Sequence, residues 1–192
     1  MDPNSEELAN LIHLLNRLVE EMPQNLDLRY RRADALLQSG FENARRGVTD
    51  LIAASKLQPD KVDVLLRVAH ILYNIGESND ALEQTRECLR RDQDHKECHK
   101  LYKKLKKIAK VYNEMVAASE DGKEQVPVCI EKAKTLLDLE KNVAAIQFQA
   151  KEALCNCYAK DSSQAKTIHE AMEFCTDVLN LDPNHLDALI NR

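Results

Sequence analysis

The sequence predicts an all-α protein made of stacked antiparallel helix pairs. Composition is the first reason: 192 residues hold only four Gly, five Pro and three Phe, while Leu, Ala, Lys and Glu, which favour helices over sheets, are abundant. Periodicity is the second, since every apolar segment recurs at the helical spacing of 3, 4 and 7 residues. The third is a returning phrase. Leu57-Gln58-Pro59-Asp60 comes back as Leu181-Asp182-Pro183-Asn184, each time closing an apolar helix with a proline that cannot continue it.

Counting from Val62 as position 1 places Ala69 at 8, Leu72 at 11, Gly76 at 15, Ala81 at 20 and Cys88 at 27. Two helices approach closely only where facing side chains are small, and the turn between them needs a residue that accepts positive φ. The preceding unit offers Ala33, Gly40, Gly47, Leu51 and Ala54 in the same roles, with a longer turn around Phe41-Glu42-Asn43. This pattern resembles the 34-residue tetratricopeptide repeat, which implies a right-handed superhelix of antiparallel helix pairs.

The remaining elements follow in order. Leu8, Leu11, Leu15 and Leu18 before Pro23 read as the second helix of a unit whose first is missing, so residues 1–95 comprise a half unit and two units. Leu101, Leu105, Ile108, Ala109, Tyr112, Met115 and Val116 share one face of a long connecting helix over 96–120, closed by Asp121-Gly122. Residues 121–192 read as degenerate repeats. Pro127 opens a helix with Ile130, Ala133, Leu136 and Leu137; another runs from about Asn142 to Tyr158. After the polar loop Lys160-Asp161-Ser162-Ser163, a helix carries Ala171, Cys175 and Val178 to Pro183, and Leu186 to Arg192 begin a truncated unit. Half units at both ends predict a fragment or a truncated gene product, or ends that pair with another copy.

The net charge of −5 argues against a general nucleic-acid or anionic-membrane binder, and no segment reads as a membrane span or a targeting signal. The run Lys100, Lys103, Lys104, Lys106, Lys107 and Lys110 reads as a solvated face opposite the apolar stripe. No nucleophile with a base, phosphate-cradling loop or paired acids is present, so no enzyme activity and no cofactor are expected. The Lys and Asn clamp with which some tetratricopeptide domains hold a chaperone's C-terminal carboxylate is absent as well. Its positions hold Tyr30, Arg31 and Asp34, then Leu66, Arg67 and His70. The same helix faces offer Tyr30, Leu37, Leu66, His70 and Tyr73 as a groove for exposed apolar stretches of unfolded polypeptide, against the alternative that these side chains pack within the protein.

The six cysteines divide by spacing. Cys88 and Cys98 flank a turn near Gln93 on antiparallel helices, close enough for a disulfide; Cys155 and Cys175 fall on facing helices of one unit. Buried thiols would fit these positions equally well. A zinc site from Cys88, His95, Cys98 and His99 is not expected, because nine residues separate the two cysteines. Cys155 and Cys157 diverge by about 200° around their helix and cannot chelate together.

Ala53-Ala54-Ser55-Lys56-Leu57, Tyr73-Asn74-Ile75-Gly76-Glu77 and above all Arg86-Glu87-Cys88-Leu89-Arg90-Arg91-Asp92-Gln93-Asp94-His95-Lys96-Glu97-Cys98 resemble the endoplasmic-reticulum J-domain co-chaperones with nine tetratricopeptide repeats, a family also described as inhibiting eIF2α kinases. The likeness runs from about Glu6 to Arg192 and covers middle and later repeats. It implies disulfides Cys88–Cys98 and Cys155–Cys175 with Cys129 and Cys157 free, and a place in the endoplasmic-reticulum lumen, or the cytoplasm if the parent lacks a signal peptide. It also implies unfolded or misfolded polypeptides as partners. Hsp70 would be reached only through a J domain, whose His-Pro-Asp element this sequence lacks. An adaptor for one folded partner, such as an eIF2α kinase, is the alternative.

Overall fold

A computed structural model describes residues 3–160 and 165–192, so the polar loop expected at Asp161, Ser162 and Ser163 lies outside the described residues. Ten α-helices and no strand are found among the described residues. The chain divides into two compact units, Met1–Lys103 and Lys104–Arg192.

The first unit holds α1 (Pro3–Glu21), α2 (Leu26–Gln38), α3 (Ala44–Leu57), α4 (Asp63–Asn74), α5 (Ser78–Arg91) and the start of α6 (Lys96–Glu120). Asn25 caps α2 by accepting a hydrogen bond from the Leu28 backbone N–H. The α4–α5 turn uses Gly76 at φ 84°. Gly76 N–H donates to Tyr73 O and Glu77 N–H to Leu72 O, the paired closure of a Schellman turn, which needs a left-handed residue. Close approach is enforced where α2 meets α3. A Cβ on Gly47 would lie 3.1 Å from the Ala33 carbonyl oxygen and 3.3 Å from Leu37 Cγ. Ala33, Ala54, Ala69, Ala81 and Cys88 are all fully buried. The longer turn after α2 is a 3-10 turn, Phe41–Asn43.

A buried carboxylate ties the first three helices together. Asp50 of α3 is 1% exposed. Its Oδ1 accepts from Arg32 Nη2 at 2.7 Å and Arg29 Nη1 at 3.0 Å, and its Oδ2 from Arg32 Nε at 2.6 Å. Arg32 Nη1 reaches on to Asn16 Oδ1 of α1 at 3.3 Å. The Arg32 guanidinium is held above its ordinary pKa, chiefly by hydrogen bonding to Asp50.

The second unit holds the rest of α6, then α7 (Val126–Leu139), α8 (Ala144–Lys160), α9 (Ala165–Leu181) and α10 (Leu186–Asn191). Along α6, Leu101, Leu105, Ile108, Ala109 and Met115 are buried, whereas Lys100, Lys103, Lys107 and Lys110 are exposed. Glu140, 1% exposed, joins α6 to the α7–α8 corner. Its Oε2 accepts from Lys104 Nζ at 2.7 Å, and its Oε1 accepts from the backbone N–H groups of Asn142 at 2.7 Å and Val143 at 3.2 Å. Because that side chain satisfies the backbone ahead of the helix, α8 starts at Ala144, two residues after the start expected from periodicity.

Asp50→Ala removes the shared acceptor of two guanidiniums that are 17% and 19% exposed. The first unit is expected to lose about 3 kcal/mol, read as a lower urea midpoint of its unfolding transition; an unchanged midpoint would show that the network adds nothing.

Candidate functional site

The sequence places its candidate binding face on the first helices of the two complete units, α2 and α4. Tyr30 and Leu37 stand two turns apart on one stripe of α2 and are both half-buried; Leu66 on α4 is half-buried and His70 exposed. An ion pair from Arg67 to Asp34 joins α4 to α2 on this face, and Arg31 Nε meets Asp27 Oδ2 at 2.9 Å beside it. Tyr30 and Leu37 on α2 and Leu66 on α4 are thus each half-sunken beside paired charges, with the Tyr30 hydroxyl turned into the protein.

Tyr73 does not belong to this face. It is 6% exposed because it continues the core stripe Leu65, Val68, Ala69 and Leu72 at the i+8 position, and the Gly76 turn folds α5 back over that end of α4. Leu66 faces both ways, since it also packs against the buried cluster of Leu65, Cys88 and Cys98.

Three disulfides are present. Cys88–Cys98 joins α5 to α6 with a Cα–Cα distance of 6.4 Å, and Cys155–Cys175 joins α8 to α9 at 4.8 Å. The expectation that Cys129 and Cys157 stay free is corrected: they are bonded to each other, joining α7 to α8 at a Cα–Cα distance of 6.4 Å. The reason is the divergence of Cys155 and Cys157 around α8. It prevents a shared ligand, and it also points each sulfur at a different neighbouring helix. Each bridge contributes about 3 kcal/mol by restricting the unfolded chain.

Two histidine caps were not foreseen. His95 Nδ1 accepts from the Cys98 backbone N–H at 3.3 Å while Nε2 lies 3.1 Å from Asp63 Oδ1. His185 repeats this at the start of α10, with Ala188 N–H at 3.3 Å and Glu152 Oε1 at 3.1 Å. The signal was available in the phrases Asp92-Gln93-Asp94-His95 and Asp182-Pro183-Asn184-His185, where histidine takes the capping place that Asn25 holds before α2.

A crystal structure of the P58(IPK) TPR domain superposes with a TM-score of 0.80 at 30% identity, covering 98% of this chain and 50% of that one. The chain is 31% identical to DnaJ homolog subfamily C member 3 of Rattus norvegicus over 189 residues, 98% of this chain and 36% of the relative. It is 26% identical to DnaJ protein P58IPK homolog B of Oryza sativa subsp. japonica over 191 residues, 98% of this chain and 38% of that relative. No family model matches the chain. The chain therefore has the tetratricopeptide-repeat fold and spans a little over a third of the length of these DnaJ relatives.

Peptide mapping of unreduced, oxidised material is expected to link Cys88 to Cys98, Cys155 to Cys175 and Cys129 to Cys157, with no thiol alkylated. Recovery of Cys129 and Cys157 as alkylated thiols would contradict the third bridge.

Proposed function

We propose that this chain is the polypeptide-binding repeat segment of a luminal Hsp70 co-chaperone, holding unfolded or misfolded proteins along the α2–α4 face. The observation that carries this reading is the partial exposure of Tyr30, Leu37 and Leu66 on the first helices of two successive units, with His70 exposed on α4. Apolar surface of this kind covers exposed apolar segments without demanding a sequence. The DnaJ names of its relatives support the co-chaperone setting. Three disulfides support an oxidising compartment such as the endoplasmic-reticulum lumen.

Hsp70 stimulation does not reside in these residues, since the sequence has no His-Pro-Asp element; holding and ATPase stimulation therefore separate. The pairs Arg67–Asp34 and Arg31–Asp27 favour a second reading, an adaptor steered by charge to one folded partner such as an eIF2α kinase. The two readings differ in salt dependence.

The chain is expected to delay aggregation of a denatured client, measured by light scattering, with little change between low and high salt. It is expected to leave the ATPase rate of an Hsp70 unaltered. Replacing Tyr30 and Leu66 together by Ser should weaken holding by about 1 kcal/mol, roughly fivefold, with helicity retained by circular dichroism. Absence of protection at several-fold molar excess would sink the holding function; protection that vanishes with salt would favour the adaptor.

A further inference from the structure

We propose that Cys88, His95 and Cys98, with the Cys88–Cys98 bond reduced, form a binding site for a thiophilic divalent cation of the Zn²⁺ class, and that disulfide and metal are alternative states of this one site. One ligand atom from each residue lies within 4.8 Å of the other two. Both cysteines are fully buried, and the His95 side chain is 16% exposed. Tetrahedral zinc holds sulfur and imidazole nitrogen at about 2.3 and 2.0 Å, so its ligand atoms stand roughly 3.5–4 Å apart. Nine residues separate the cysteines in sequence, but the antiparallel turn between α5 and α6 cancels that separation in space. The fourth position falls to water beside the partly exposed His95.

The histidine is already oriented for this task. Its Nδ1 accepts from the Cys98 backbone N–H, so the ring proton sits on Nε2 and is donated to Asp63. Once the bond from the Cys98 N–H is released the Nδ1 lone pair is available to a cation, and the carboxylate on Nε2 is the outer partner that metal-bound histidines ordinarily have. The bond given up on metal binding, Cys98 N–H to Nδ1, is a long one at 3.3 Å.

An internal comparison separates the cap from the site. His185 makes the same two contacts, to Ala188 N–H and Glu152, but Val178 and Ala188 stand where the first unit has Cys88 and Cys98. The histidine and carboxylate alone are thus a helix cap, and the two sulfurs are what the α5–α6 corner adds. Opening the bridge takes two electrons and two protons from a dithiol reductant, which leaves as its own disulfide. Metal binding then releases the two thiol protons to solvent, and two thiolates offset the cation's charge.

The test is titration of the intact chain with Co²⁺, whose tetrahedral ligand-field bands and thiolate charge-transfer absorption report the ligand set. Reduced protein is expected to show both, and oxidised protein neither. Cys88→Val with Cys98→Ala, which copies the second unit, should abolish the tetrahedral spectrum. His95→Asn, which keeps a cap of the Asn25 kind, should weaken binding roughly tenfold or more, while His185→Asn should leave it unchanged. A spectrum that survives the double cysteine substitution would place the metal on the α7–α9 cysteines and overturn the proposal. So would wild-type affinity in His95→Asn, absence of tetrahedral absorption in reduced protein, or loss of helicity on reduction.

Discussion

Close helix approach is the constraint on which the rest of this structure depends. Between α2 and α3 an added carbon at Gly47 would sit 3.1 Å from a backbone oxygen, so the helices would have to part by a few tenths of an ångström to admit it. At that separation the apolar stripes of neighbouring helices interdigitate, and Leu36, Leu51, Leu65 and Leu72 are almost fully removed from water. The same closeness fixes what polar groups can do. A carboxylate such as Asp50, caught at a crossing, must find its partners within the packed layer, and Arg29 and Arg32 supply them from one helix turn.

The repeat architecture was legible because it is written in small residues and turn residues at fixed intervals. Ala69, Gly76, Ala81 and Cys88 each occupy the environment that their spacing implied, and α6 spans Lys96–Glu120 as its apolar face and Asp121-Gly122 implied. Tyr73 was misplaced because repeat position and helical spacing disagree there, and burial followed the spacing from Leu65. Asp50 and Glu140 were not legible as buried. A lone acid in a polar-looking stretch carries no mark of burial; that depends on which arginine or lysine the fold brings opposite, 18 residues away for Arg32.

The two units solve the same packing problem with different chemistry. In the first, hydrogen bonds running from Asp50 through Arg32 to Asn16 link three consecutive helices, and Tyr30, Leu37 and Leu66 on α2 and α4 stay partly open to solvent. In the second, covalent bonds do most of the linking, with the Glu140 corner added at the start of α8. Cysteine serves both ends here, since it is small enough for a tight crossing and reactive enough to seal it.

The two bridges of α8 overlap along the chain. Cys155–Cys175 begins inside the loop closed by Cys129–Cys157, so residues 129–175 form a single covalent weave. One backbone cut anywhere in that span leaves the two pieces attached by at least one bridge. The same overlap makes oxidation ambiguous: Cys155 and Cys157 are two residues apart, and exchanging their partners gives a second pairing with nearly the same loop lengths. Only the helical phase of α8 separates the two outcomes. Correct bridging of this segment therefore requires α8 to be wound before its sulfurs are committed, or an isomerase to undo the exchange afterwards.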